Sequence, residues 1–340
     1  MLPIKDLNLD LMKESIFGMD TKVDGFTIVD RKYSDNESLP TFMLANITPV
    51  TTNIEYNIER IKTIARLASE KGVNVLVLPE LPVSGYVWDN EDEVFPHLEK
   101  CATTAPIVEE MIDYIRGLME YDGLEILFFN NIEHDGENFF DTTYVIGKEN
   151  DYLDTKYQKI FLTPIEKKYF KTGTDQRLVV NTKYGKLGIT ICYDLVFTGL
   201  AEKYSYEDNV DAIINSAAWR RDSVREYPLL NYRTTNYYEY IWDLKHAALS
   251  SHNQVWSIGC TCVGTFDRTG DAFVGGSGFW NPSGIPLVQA SKNYEELLIL
   301  RNIDIAKHLR NQAVEDFNYS LDYDAVWRKV EDIEPKILSV

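Results

Sequence analysis

The sequence predicts one α/β domain in which large mixed β-sheets lie between layers of helix. Three observations lead there. Short apolar, β-branched runs alternate with stretches whose apolar residues recur at helical spacing. No low-complexity tract or linker divides the 340 residues. Hydrophobic residues make up 44% of the chain, which at this length allows a sizeable core and excludes global disorder.

The elements follow in order. Residues 1–40 are polar and aperiodic, and are expected to be an N-terminal extension containing a loop at "YSDNESLP". "TFMLANI" is a short apolar strand. Ile54, Ile58, Ile61, Ala65 and Ala68 then mark a helix, closed by Gly72 where a C-cap glycine belongs. "VNVLVL" is fit for a strand buried on both faces, completing a βαβ unit. Ile107, Met111, Ile115 and Met119 mark a second helix, and "EILFFNN" a strand. "TTYVIG" and "YLDTKY" read as a hairpin pair, and "RLVVNT" and "KLGITI" as strands joined at "KYG". "DAIINSAA" and "VWSIGCTC" are strands on either side of a helix over 239–253. "GSGFWNPSGIPLVQAS" is a hairpin turning at Asn281-Pro282-Ser283-Gly284, and "LLILRNIDI" is the last strand. The domain is expected to span 41–305, with 306–340 a tail packed on it or on a partner subunit.

With 34 basic against 53 acidic residues the net charge is −19, which argues against binding a phosphate backbone. The N-terminal segment has scattered charges rather than the apolar run of a signal peptide, and nothing approaches the length of a membrane helix. Four cysteines (101, 192, 260, 262) are too few and too unevenly placed for a disulfide scaffold. The expectation is a cytoplasmic protein with reduced thiols and no nucleic-acid or membrane partner.

Three strands end in residues able to do chemistry. "VNVLVLPE" delivers Glu80, "KYQKIFL" delivers Lys159, and "KLGITICYD" delivers Cys192. Ligand sites in α/β sheets gather beyond the carboxyl ends of strands. A nucleophile, a proton carrier and a cation meeting there make an acyl-transfer set.

The segments "FMLANITPVTTNIEYNIERI", "VLVLPELPVSGY", "YQKIFLTPIEKKYFKTGT", "LGITICYDLVF", "IINSAAW" and "GSGFWNPSG" stand in this order between residues 42 and 305. Together they resemble the carbon–nitrogen hydrolase (nitrilase) superfamily. The resemblance implies a four-layer αββα sandwich with two mixed β-sheets, assembled as a homodimer or higher oligomer, with no metal or organic cofactor. It further implies a small-molecule substrate. By the same resemblance Glu80 is the general base, Lys159 the oxyanion-stabilising lysine, Cys192 the nucleophile and Glu166 a supporting glutamate. The backbone N–H of Tyr193 is expected to help receive the oxyanion. A nearby Lys159 and the strand-to-helix corner are expected to favour the Cys192 thiolate.

Cys192-Tyr193-Asp194 resembles the amidase branches more than the Cys-Trp-Glu of true nitrilases, so an amide or N-carbamoyl substrate is expected. The alternatives are a nitrile substrate, or an idle binding or assembly subunit of the same fold. Tyr86 and Trp219 match positions that line the family's pocket; Trp88, Tyr193 and Phe197 add to the aromatics crowded there. Arg220, Arg221 and Arg225 follow the pocket strand in "WRRDSVRE". They read as solvated loop charges or, more sharply, as a fork for a substrate carboxylate, with Arg220 its substrate-binding member. The segment from Trp219 to Trp242 is long and rich in Tyr and Asn, fitting a lid or a subunit contact. "KHAALSSHN" replaces the family's Arg-Ala-x-Glu-Asn pattern. Cys260 and Cys262 share one strand face, and the five histidines form no ligand cluster, so core packing is expected rather than zinc or thiol redox chemistry.

Overall fold

The computed structural model describes residues 20–86, 91–120, 123–173, 176–221, 223–306 and 318–319. The first 19 residues, Trp88 and nearly all of the expected C-terminal tail lie outside the described residues.

One sheet has the order β1-β2-β16-β3-β4-β5-β6-β7. Its strands are β1 (Thr21–Val23), β2 (Phe26–Lys32), β3 (Phe42–Asn46), β4 (Val75–Val77), β5 (Ile126–His134), β6 (Phe139–Gly147), β7 (Lys156–Gln158) and β16 (Glu296–Arg301). The second has the order β15-β14-β13-β10-β9-β8. It contains β8 (Val179–Thr182), β9 (Gly185–Ile191), β10 (Ala212–Ala217), β13 (Trp256–Thr261), β14 (Gly278–Trp280) and β15 (Pro286–Gln289). In each sheet three parallel strands, β3-β4-β5 and β9-β10-β13, form the centre with antiparallel neighbours on both sides, and the larger sheet adds one more parallel pair, β16-β2. A separate hairpin pairs β11 (Arg225–Tyr227) with β12 (Tyr232–Thr234).

The alternation of side chains along a strand sets the layering. On β3, Met43 and Ala45 pack among residues of α1 (Ile54–Glu70), α2 (Glu91–Cys101) and α3 (Pro106–Leu118), whereas Phe42 and Leu44 pack toward the other sheet. Leu76 and Leu297 follow the first pattern, Val77 and Leu298 the second. The inter-sheet core joins Phe42 edge-on to Phe279 at 5.3 Å, with Ile189, Ile214 and Ile258 opposite Val75 and Phe128. On the far face of the second sheet, α4 (Thr198–Glu202) and α5 (Tyr237–Asn253) contribute Leu200, Trp242 and Leu249. Helix, sheet, sheet, helix is thus the order of the layers. Central strands buried on both faces must be apolar throughout, which is why the periodicity was absent and the run continuous at "VNVLVL" and "LGITI".

The expected turns hold. Asn53 caps α1 by accepting from Tyr56 N–H, and Gly72 closes it at φ 66°. Asn281 Oδ1 accepts from Ser283 and Ile285 N–H in the β14–β15 turn.

Two elements differ from expectation. Residues 21–32, expected to be aperiodic, form a hairpin on the edge of the larger sheet. Asp24 and Gly25 both have positive φ (49° and 86°), as a two-residue type I′ turn requires. α2 was not expected, because Pro96 and five charged residues hide its spacing of Val94, Leu98 and Cys101. Cys260 and Cys262 are core residues as expected, with Cys260 Sγ directed at the carbonyls of Ala45 and Val77 across the sheets.

Candidate active site

β4, β7 and β9 end at one place, where Glu80, three residues past β4, meets Lys159 and Cys192, the first residues past β7 and β9. Pro79 and Glu80 follow β4; Glu80 donates its N–H to Ala217 O at the end of β10, and Ser216 Oγ donates to Leu78 O. These two bonds tie the carboxyl ends of the two sheets together. Leu81 takes φ 49°, with its N–H bonded to Asn130 Oδ1, which turns the chain so that the Glu80 side chain stays inside.

Cys192 follows β9 at φ 45°, a left-handed conformation that costs a non-glycine residue about 1–2 kcal/mol. Asp194 holds the corner. Its carboxyl accepts from Ile191 N–H (2.9 Å), Phe161 N–H (2.8 Å) and Tyr157 O–H (2.8 Å). The first bond fixes the strand-to-helix corner at Cys192 and the other two fix the segment on either side of Lys159. One side chain therefore sets the position of Cys192 relative to Lys159.

Lys159 is fully buried, and its Nζ donates to three carboxyls: Glu80 Oε1 at 2.5 Å, Glu166 Oε1 at 2.8 Å and Asp141 Oδ2 at 3.1 Å. Glu80 Oε2 also accepts from Ala218 N–H, and Glu166 Oε2 from Thr163 N–H. The Cys192 thiol lies close enough to Glu80 and Lys159 to feel both charges. Glu80, Lys159, Cys192 and Glu166, singled out from the sequence, are thus brought together.

Asp141 was missed. It lies in the middle of β6, where a polar residue in a hairpin strand attracts no notice. A buried carboxyl flanked by "FF" and "TTYVI" was the available signal.

The electrostatics follow from burial. Desolvation alone would lower Lys159, but Glu166, Glu80 and Asp141 more than offset it and hold the ammonium well above its ordinary pKa. Burial also pushes Asp141 up to about 7, Lys159 opposing and Glu80 reinforcing. For Cys192 burial and the Glu80 charge outweigh Lys159, and the thiol is raised well above its usual value. The expected thiolate is thereby corrected: the resting sulfur keeps its proton. Glu80, Asp141 and Glu166 offer ligand oxygens within 4.8 Å of one another, but the Lys159 ammonium occupies their centre.

Around this cluster, Tyr86 is buried and faces the titratable groups of Glu80, Cys192, Glu166 and Asp141, wedged edge-on against Phe266 at 5.5 Å. Trp219 follows the Ala218 amide that holds Glu80, and packs on Trp242 at 5.7 Å. Tyr193 is half-buried against Phe197, which stacks on Phe161. Arg220 pairs with Asp271 at 2.6 Å, and Arg221 bonds Asn293 Oδ1 at 3.0 Å. Arg225 lies over the Tyr237 ring. The three guanidiniums point to separate partners, as loop charges do, and the alternative of a fork is not assembled.

The carbon–nitrogen hydrolase family matches residues 44–307. A probable nitrilase of Schizosaccharomyces pombe is 26% identical over 277 residues, covering 79% of this chain and 92% of its own. Omega-amidase NIT2 of Mus musculus is 26% identical over 280 residues, covering 79% and 91%. The crystal structure of Saccharomyces cerevisiae Nit3, of branch 10 of the nitrilase superfamily, superposes with a TM-score of 0.65 at 21% identity. That superposition covers 82% of this chain and 95% of that one. The layered fold and the family match over most of the chain agree, and this protein belongs to the carbon–nitrogen hydrolase family, enzymes that cleave carbon–nitrogen bonds other than peptide bonds.

Proposed function

We propose that this chain hydrolyses a small amide or N-carbamoyl compound through a thioester on Cys192, with Glu80 as general base and acid and Lys159 as oxyanion stabiliser. The observation that carries the reading is the convergence of Glu80, whose carboxyl holds the buried Lys159 ammonium, with Cys192, whose thiol feels both charges. Because the thiol is protonated at rest, attack and proton transfer are coupled. Sulfur bonds to the carbonyl carbon as its proton passes to Glu80. Charge that develops on the carbonyl oxygen is met by Lys159 and the Tyr193 N–H. Glu80 then protonates the nitrogen, the C–N bond breaks, and ammonia or an amine leaves. Water next attacks the thioester, giving one proton to Glu80, which returns it to sulfur. Glu166 holds Lys159 in place through its bonds to Nζ and Thr163 N–H. Tyr86 and Trp219 form apolar walls that suit a small acyl group.

The amide preference rests on Cys192-Tyr193-Asp194 and is shared with the name of the mouse relative; the yeast relative is named for nitriles. Ammonia release from primary amides, carbamoyl compounds and nitriles separates these. The protein is expected to act on a member of the first two classes, and Cys192→Ala to lower that rate by a factor on the order of 10^4 or more. Retained activity in that variant sinks the thioester route. Action on nitriles alone sinks the substrate class.

A further inference from the structure

We propose that Asp141 is a positioning residue of this site, held as a neutral carboxylic acid that donates its proton to Glu80 and so leaves the Lys159 ammonium available to the substrate. The inference rests on the hydrolytic reading for its consequence, but not for its physical content.

Charge balance comes first. Three buried carboxyls surround one ammonium, and the thiol beside them is neutral. If all three carboxyls were ionised, two negative charges would stand uncompensated among buried groups. Such charge is relieved by taking up a proton rather than by remaining unpaired. Geometry then says which carboxyl holds it. Asp141 and Glu80 present oxygens within 4.8 Å of one another around the same Nζ, and two carboxyls so placed repel unless one of them carries a proton, which it can then share with the other. Asp141 has the longest of the three links to Lys159, 3.1 Å against 2.5 and 2.8 Å. Glu80 and Glu166 each accept a main-chain N–H as well as the ammonium. Asp141 accepts instead from the neutral side chain of Asn130 (Nδ2 to Oδ1, 2.8 Å). Asn130 is itself anchored through Oδ1 to Leu81 N–H, so its orientation is fixed by the turn that positions Glu80. The proton belongs on the carboxyl with the weakest cationic support.

The consequence concerns Lys159. Its three N–H bonds all end on carboxyls, so receiving an oxyanion requires releasing one of them. A neutral Asp141 is the partner most readily released. Ionised, it forms a third ion pair and retains the ammonium. The groups facing Asp141 are Lys159, Glu80, Glu166, Cys192 and Tyr86, with Asn130 the neutral neighbour. Burial raises its titration to about 7, and raises that of Asp194, at the Cys192 corner, to about 6. As pH rises from 6 to 8 Asp141 loses its proton, and turnover is expected to fall roughly tenfold.

The test combines an optical and a kinetic readout. In the infrared, a buried protonated carboxyl gives a C=O stretch well separated from carboxylate bands. The wild type is expected to show this band near pH 6.5, losing it by pH 8.5, and Asp141→Asn to lack that component while Asp194's remains at lower pH. Absence of the band from the wild type, or its persistence in Asp141→Asn, overturns the inference whatever the enzyme's substrate. On the amide that the protein hydrolyses, Asp141→Asn is expected to abolish the fall between pH 6 and 8. The asparagine is neutral at every pH and still able to donate to Glu80. An unchanged fall in that variant removes the kinetic consequence while leaving Cys192-dependent hydrolysis standing. Should Asp141→Asn fail to fold, Asp141→Ser supplies a neutral donor for the same comparison, and the wild-type band alone still decides the protonation state.

Discussion

Asp194 shows how one acceptor can fix the relative positions of several residues of a candidate site. Its carboxyl satisfies two main-chain donors and a tyrosine hydroxyl, the Phe161 N–H part-buried and the other two buried, and burial raises it to about 6 in spite of them. An amide in its place offers one oxygen and presents an N–H to a former donor. Asp194→Asn is therefore expected to cost about 1–3 kcal/mol for each donor left unpaired, read as a lowered urea midpoint with unchanged slope. Turnover falls with it, because Tyr157 and Phe161 on one side and Ile191 on the other lose their common anchor. Equal stability of this variant and the wild type contradicts that account. Residue chemistry was only partly legible in the sequence. Glu80 and Cys192 could be found because each follows an apolar run, whereas Lys159, after Lys156–Gln158, was singled out by the family resemblance. Asp141 could not, because a strand's period of two does not say which polar residues turn toward a buried cation.

Among elements, β13 carries the tightest packing behind the site. A Cβ on Gly259 would lie 2.5 Å from His246 Nε2 and 2.9 Å from Trp242 Cζ2. Neither ring can yield: His246 stacks on Trp280 at 4.3 Å and is bonded through Nδ1 to Ser257 Oγ at 2.7 Å, while Trp242 abuts Trp219. Gly259→Ala is expected to destabilise the protein by about 1–3 kcal/mol of overpacking. It should also raise KM through displaced Trp219, measured as a KM change larger than the kcat change. Unaltered KM with a lowered melting temperature detaches Trp219 from the pocket wall. The central strands were legible because burial on both faces forces continuous apolar runs. The edge hairpin β1–β2 was not, since "FTIVDRK" carries its charges where the strand meets solvent; yet Asp24-Gly25 was a usable turn signal. Likewise α2 had inward residues at four- and three-residue spacing beneath a charged surface.

At the scale of the whole molecule, stability against pH is decided by which buried groups change charge in which window. Asp141 at about 7 lies above its value in the unfolded chain, so its neutral form is favoured by folding. The stability it contributes is complete below the ordinary carboxylate range and is lost as pH rises through about 7. Asp194 behaves likewise through about 6. His246 has the opposite sign: burial depresses it to about 3, so the stability it contributes is present above the ordinary histidine value and is lost as pH falls toward 3. His97, also lowered by burial, adds to that loss. Between pH 8 and about 6.5 the aspartates therefore act with little opposition, and below 6.5 the histidines begin to cancel them. The net charge of −19 adds self-repulsion that eases as the carboxyls protonate, and salt screens that part while leaving the buried part nearly untouched. The melting temperature is expected to climb as pH is lowered from 8 to 6.5 and then to level. In 0.5 M salt the climb should shrink but survive, and in Asp141→Asn most of the surviving climb should vanish. Scanning calorimetry at both ionic strengths checks this. A melting temperature that is flat from pH 8 to 6.5 at high salt in the wild type would mean that no buried carboxyl titrates there.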